Sequence, residues 1–217
     1  MKFDAVIFDM DGVIVDSEPR HERAFLEVFE EMGYGGRHGM DFPSYFGRSD
    51  SALWADFIAL HNPAYTLEHL TAWKQNRLIE IIRREQPLFP GIPKLVEQLS
   101  QRYKLSVASG SLHAVIDVIL ELENLRRFFP TVVSTQDVGK GKPAPDVFLR
   151  AAEKMGVTPD RCCVIEDSAA GVQAGVSAGM FVIAITNSLP RERLAAANRV
   201  VGTYSEIEAL LLDDKSR

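Results

Sequence analysis

Residues 4–18 read DAVIFDMDGVIVDSE: an apolar run, Ala5 to Phe8, then two carboxylates, Asp9 and Asp11, separated only by Met10 and followed at once by Gly12. The run has the length and composition of a buried strand, and the glycine marks a turn at its end. Two carboxylates this close raise each other's pKa and cost stability unless a cation, hydrogen bonds or solvent relieves them. The strand end therefore calls for a compensating group.

Working outward, four more β-rich runs follow: KLSVAS at 104–109, TVVS at 131–134, CCVIE at 162–166 and FVIAI at 181–185. Helical spacing separates the later ones, with Ile92, Leu95, Val96 and Leu99 before the second run and Val115, Ile116, Ile119 and Leu120 after it. Strands that are apolar on both faces and alternate with helices predict an α/β fold, a doubly wound, Rossmann-like parallel sheet covered on two sides. Residues 16–87 break the rhythm. Phe25, Leu26, Phe29 and Met32 mark one helix face, Leu53, Trp54, Phe57 and Ile58 a second, and Leu67 through Ile82 a third, separated by GYGGRHG and HNPAY. The expected organisation is a catalytic core of residues 1–15 and 88–217 carrying an inserted helical cap of residues 16–87.

Composition narrows the function. At 217 residues and 46% hydrophobic the chain can bury one generous core with a modest second module. A formal net charge of -6 argues against a general nucleic-acid or membrane-surface binder, either of which presents a basic face. No run approaches the ~20 apolar residues needed to span a bilayer, and no signal-peptide pattern opens the chain, so a cytoplasmic protein is expected. The only cysteines, Cys162 and Cys163, are adjacent, which suits two small residues in a buried strand better than a structural disulfide.

In a doubly wound sheet, ligands bind beyond the carboxyl ends of the strands. Four ends carry reactive groups: Asp9 and Asp11; Ser109 with Gly110 and Ser111; Lys142 in GKGKPAPD; and Glu166 with Asp167 in VIEDSAAG. Carboxylates plus a backbone carbonyl suit a hard octahedral cation such as Mg2+, which also binds substrate phosphate. Taken singly, Ser109 reads as a helix cap and Lys142 as a solvated loop lysine. Asp9, Asp11 and Asp167 do not read so easily as structural, because carboxylates set directly on apolar strands are expensive without a partner.

The four segments DMDG, VASGS, KGKPAPD and IEDSAAG, in this order on successive strand ends, resemble the signatures of the haloacid dehalogenase (HAD) superfamily, and within it the β-phosphoglucomutase-like phosphatases with a small helical cap. The resemblance implies that Asp9 is a nucleophile forming an aspartyl-phosphate and Asp11 a general acid and base. It further implies that Mg2+ is held by Asp9, the Asp11 carbonyl and Asp167, with Glu166 beside them, and that Ser109, Gly110 and Lys142 meet the transferring phosphoryl group. His21, Gly47, Arg48 and Lys74 of the cap would meet the rest of the substrate, the cap closing as a lid hinged near Asp16 to Glu18 and Pro87 to Pro90.

The expected substrate is a small phosphorylated metabolite, foremost a sugar phosphate; a monomer is expected, and the acidic net charge argues against a nucleic-acid or membrane partner. Asp11 speaks against the dehalogenase and phosphonatase branches. The alternative is a β-phosphoglucomutase. Against it, Arg48 follows Gly47 directly where the mutase loop spaces its arginine further on, and Leu112 and His113 stand where the mutase carries a Lys-Asn pair.

Overall fold

The computed structural model describes residues 3–45 and 50–213. The chain divides into two compact units, one of Met1–Asp16 with Pro87–Arg217 and one of Ser17–Gln86.

The first unit is built on a sheet of order β3-β2-β1-β4-β5-β6. Its strands are β1 (Ala5–Phe8), β2 (Lys104–Ser109), β3 (Thr131–Ser134), β4 (Cys162–Glu166), β5 (Phe181–Ile185) and β6 (Arg199–Val201), and every pairing is parallel. The opening strand is central, between β2 and β4, so all four of its residues are fully buried.

Alternation along the strands feeds two cores. Ala5, Ile7, Cys162, Val164, Val182 and Ala184 join one cluster with Phe148 of α6 (Asp146–Met155) and Val172 of α7 (Ala169–Ser177). Val6, Phe8, Cys163, Ile165 and Ile183 alternate with them and are equally buried, Phe8 meeting Phe129 edge-on at 5.6 Å. Burial pushes the Cys162 thiol up to about 11 and Cys163 higher still, so both are neutral packing residues.

Strand β6 was not expected. Its three residues, RVV, are too short to establish a period of two, and it is an edge strand held only by β5. The segments entering and leaving the second unit are tied together on the sheet's side: Val15 bridges to Leu88, and the Asp16 amide donates to the Pro87 carbonyl at 2.9 Å.

The second unit contains α1 (Glu18–Glu31), α2 (Asp50–His61) and α3 (Leu67–Glu85) around Phe25, Val28, Phe29, Leu53, Trp54, Phe57 and Leu70. Leu26, expected on the buried face of α1, is 38% exposed. Phe25, Val28 and Phe29 share one face at i, i+3 and i+4, and Leu26 is rotated off it. Helix α3 starts at Thr66, whose side chain accepts the His69 amide, a cap that contributes about 1 kcal/mol. No helix among the described residues is long and apolar enough to cross a membrane.

Candidate active site

Register decides what meets at the carboxyl edge of the sheet. Phe8 lies opposite Val107 and Ile165, so the next residue, Asp9, emerges level with the ends of β2 and β4 and donates its amide to the Ile165 carbonyl at 2.9 Å. Ser109 and Glu166 are the last residues of those neighbours.

The crowding at Asp9 is relieved by a side chain 133 residues away. Lys142 Nζ donates to Asp9 Oδ1 at 2.5 Å and to Glu166 Oε1 at 2.6 Å, with the Phe148 ring 4.8 Å beneath it. Burial alone pushes the Lys142 ammonium toward neutrality, but Asp9 and Glu166 override it and hold its pKa above the usual lysine range. Asp9 itself is pushed well up by burial, against the pull of Lys142 and with the push of Glu166 and Asp167.

Glu166 is fully buried and fully engaged. Its Oε2 accepts from the Asp167 amide at 2.8 Å, the Ser168 amide at 2.8 Å and the Ser168 hydroxyl at 2.9 Å. Ser168 Oγ in turn accepts the Gly171 amide at 3.0 Å as the cap of α7. A Cβ on Gly171 would stand 1.6 Å from Glu166 Oε1, so only glycine lets this carboxylate lie under the helix. Asp167 is pushed up to about 7, by burial first and by Glu166 second, while a hydrogen bond from Ser188 to its Oδ2 pulls the other way.

One carboxylate oxygen from each of Asp9, Glu166 and Asp167 lies within 4.8 Å of the others. Asp9 Oδ2 and Asp167 Oδ1 meet no protein donor among the described residues. Two buried carboxylates with open oxygens, each pushed toward protonation, are the kind of donors that a hard cation takes. This acidic cluster can bind a metal ion.

Asp11 faces a different set. Ser111 Oγ donates to its Oδ2 at 2.7 Å and Ser109 Oγ at 3.4 Å, and Ser109 Oγ accepts the Ser111 amide at 2.9 Å. Ser109 is fully buried, Gly110 is exposed, and α5 (His113–Glu121) begins just beyond them. His113 Nε2 pairs with Asp137 Oδ1 at 3.0 Å, a contact that, with the Ser134 amide, holds Asp137 below the usual carboxylate range.

Of the groups expected at the site, Asp9, Lys142, Glu166 and Asp167 form one hydrogen-bonded cluster, while Asp11 and Ser109 form a second on the same strand ends. In the helical unit, Lys74 has no exposed side-chain surface. Its ammonium donates to Asp50 Oδ2 at 2.6 Å, lies 2.6 Å from His21 Nδ1 and stacks 4.7 Å over Phe25. Gly47 and Arg48 lie outside the described residues. Sequence reasoning missed Ser188 and Asn187. Their one signal was the position of TNS directly after the β5 run, at the same edge as the other reactive ends.

Comparison with known proteins gives the family. The family of haloacid dehalogenase-like hydrolases matches residues 3–179. Fructose-1-phosphate phosphatase YqaB of Escherichia coli is 33% identical over 188 residues, covering 84% of this chain and 96% of that one. The β-phosphoglucomutase of Bacillus subtilis is 32% identical over 221 residues, covering 97% and 94%. The crystal structure of a β-phosphoglucomutase from Clostridium difficile superimposes with a TM-score of 0.77 at 26% identity, covering 99% of this chain and 95% of that one. The chain belongs to the haloacid dehalogenase-like hydrolases, as an enzyme of the phosphatase kind.

Proposed function

We propose that this enzyme is a magnesium-dependent phosphatase of small phosphorylated metabolites, foremost sugar phosphates. The observation that carries the reading is the pair of neighbouring aspartates with opposite surroundings: Asp9 buried, pinned by Lys142 and open at one oxygen, and Asp11 half-buried and held by two serine hydroxyls. One is equipped as a nucleophile and the other as a proton carrier. The named phosphatase relative supports the same reaction class.

In this reading an Asp9 carboxylate oxygen attacks phosphorus, the ester P–O bond breaks, and Asp11 gives its proton to the departing oxygen. Asp11 then takes a proton from water, the resulting hydroxide attacks phosphorus, and phosphate leaves with Asp9 restored. Lys142 and the Ser109 hydroxyl flank the two aspartates and would meet the phosphoryl oxygens, since such transfer needs positioning and charge neutralisation above all. Asp9, Asp167 and the Asp11 carbonyl would hold magnesium, which when bound neutralises charge on the carboxylates and the phosphoryl group.

The mutase alternative is favoured by the Bacillus subtilis relative. A mutase must also hold the distal phosphate of a bisphosphorylated intermediate. Leu112 offers no charge for that, and the His113 imidazole is already paired with Asp137, which favours water as the acceptor. The test is to supply β-glucose 1-phosphate with magnesium and a trace of the bisphosphate, alongside a panel of sugar and polyol phosphates. Net phosphate release from panel members is expected. Rapid glucose 6-phosphate formation without phosphate release overturns the choice in favour of the mutase.

A further inference from the structure

We infer that Ser188, on the loop after β5, is a positioning residue for the metal site, aiming the Asp167 carboxylate so that its open oxygen is presented to the cation; the inference rests on the magnesium reading above. The loop is a fifth strand end at the carboxyl edge of the sheet, next to β4 and so next to Asp167. Ser188 Oγ donates to Asp167 Oδ2, which leaves Oδ1 as the oxygen without a protein donor among the described residues. That hydroxyl is the protein donor to Oδ2 among the described residues, and Asp167 itself is only 4% exposed.

The neighbouring residue fixes the loop. Asn187 Nδ2 donates to the Gly12 carbonyl at 2.8 Å and to the Tyr204 hydroxyl at 2.8 Å, and that hydroxyl donates to the Val13 carbonyl at 2.7 Å. One amide proton of Asn187 is thereby used on the turn that follows Asp11 directly, and the other reaches that turn through the Tyr204 hydroxyl. Two consecutive residues thus grip the two strand ends that supply the carboxylates. Packing closes the remaining freedom: a Cβ on Gly12 would stand 1.8 Å from Asp167 Oδ2 and 2.7 Å from Ser188 Oγ. Loss of a group that orients a metal-binding carboxylate in this way typically costs about 10–100-fold in metal affinity or activity.

The experiment is calorimetric titration of magnesium into the metal-free wild type, Ser188→Ala and Ser188→Thr, with the metal-free melting temperature of each measured in parallel. Ser188 lies exposed on a loop, and the metal-free melting temperatures check that each variant folds. Ser188→Ala is expected to weaken magnesium binding about 10–100-fold, with Ser188→Thr, which keeps the hydroxyl, restoring most of it. Wild-type affinity in Ser188→Ala, or a lowered melting temperature with unchanged affinity, overturns the positioning role and leaves the magnesium reading intact. Absence of magnesium binding by the wild type overturns both.

Discussion

Asp9 and Asp11 stand two positions apart on one strand end yet have different neighbours, and their substitutions should therefore fail in different ways. Asp9→Asn is expected to remain folded, since burial already disfavours its charge, and to release no detectable phosphate. Circular dichroism and a phosphate assay on the same sample check both halves. Asp11→Asn is expected to lower turnover about 10²–10⁴-fold, the usual value of a positioned acid and base. Gly171 provides a test of structure rather than chemistry. Alanine in a helix interior ordinarily gains up to about 1 kcal/mol over glycine. Here its Cβ would overlap the Glu166 carboxyl carbon at 1.9 Å, and that carboxylate is locked by Lys142, Ser168 and two amides. Steric conflict should win, giving a net loss of about 1–3 kcal/mol in urea denaturation.

At the scale of elements, α1 and α3 are clasped by charge along their length. Arg20 Nε donates to Glu85 Oε2 at 3.1 Å, Arg23 pairs with the other Glu85 oxygen, and Arg77 joins Glu27 at 3.1 Å and also Glu31. The hydrogen bonds from Arg23 and Arg20 hold Glu85 below its ordinary pKa of 4.5. A carboxylate whose folded pKa is depressed adds stability above its unfolded pKa and loses it as pH falls through the folded value. The melting temperature of Glu85→Gln should therefore lie below that of the wild type by a constant amount at neutral pH. The gap should close as pH drops below about 4.5, the unfolded value, and thermal scans from pH 3 to pH 8 measure it. The sheet shows the complementary case, in which parallel pairing rather than charge holds the element. Edge strand β6 survives at three residues because β5 supplies its partners.

At the scale of the whole molecule, an ion that binds only the folded state raises stability by mass action, by about 2.7 kcal/mol at a hundred times its dissociation constant. Magnesium should accordingly raise the melting temperature, a chelator should abolish both that rise and phosphate release, and calcium, with a larger and looser coordination shell, should restore activity poorly. Full turnover in excess chelator would count against the metal assignment. The sequence by itself determined the alternation of strands and helices, the helical interval between the first strand and the rest, and the chain positions of Asp9, Asp11, Ser109, Lys142, Glu166 and Asp167. Those features follow from local periodicity and from reactive residues placed at strand ends, both of which can be read along the chain. It did not determine which charges pair. Lys142 reaches Asp9 across 133 residues, Lys74 is wholly buried against Asp50 and His21, and Ser188 finds Asp167 only because β5 is registered beside β4. The Lys142 and Ser188 pairings depend on strand order and register, which are set by burying both faces of the sheet at once, and the Lys74 contacts depend on how the helices of the second unit pack around Phe25; neither has a signature in any single segment.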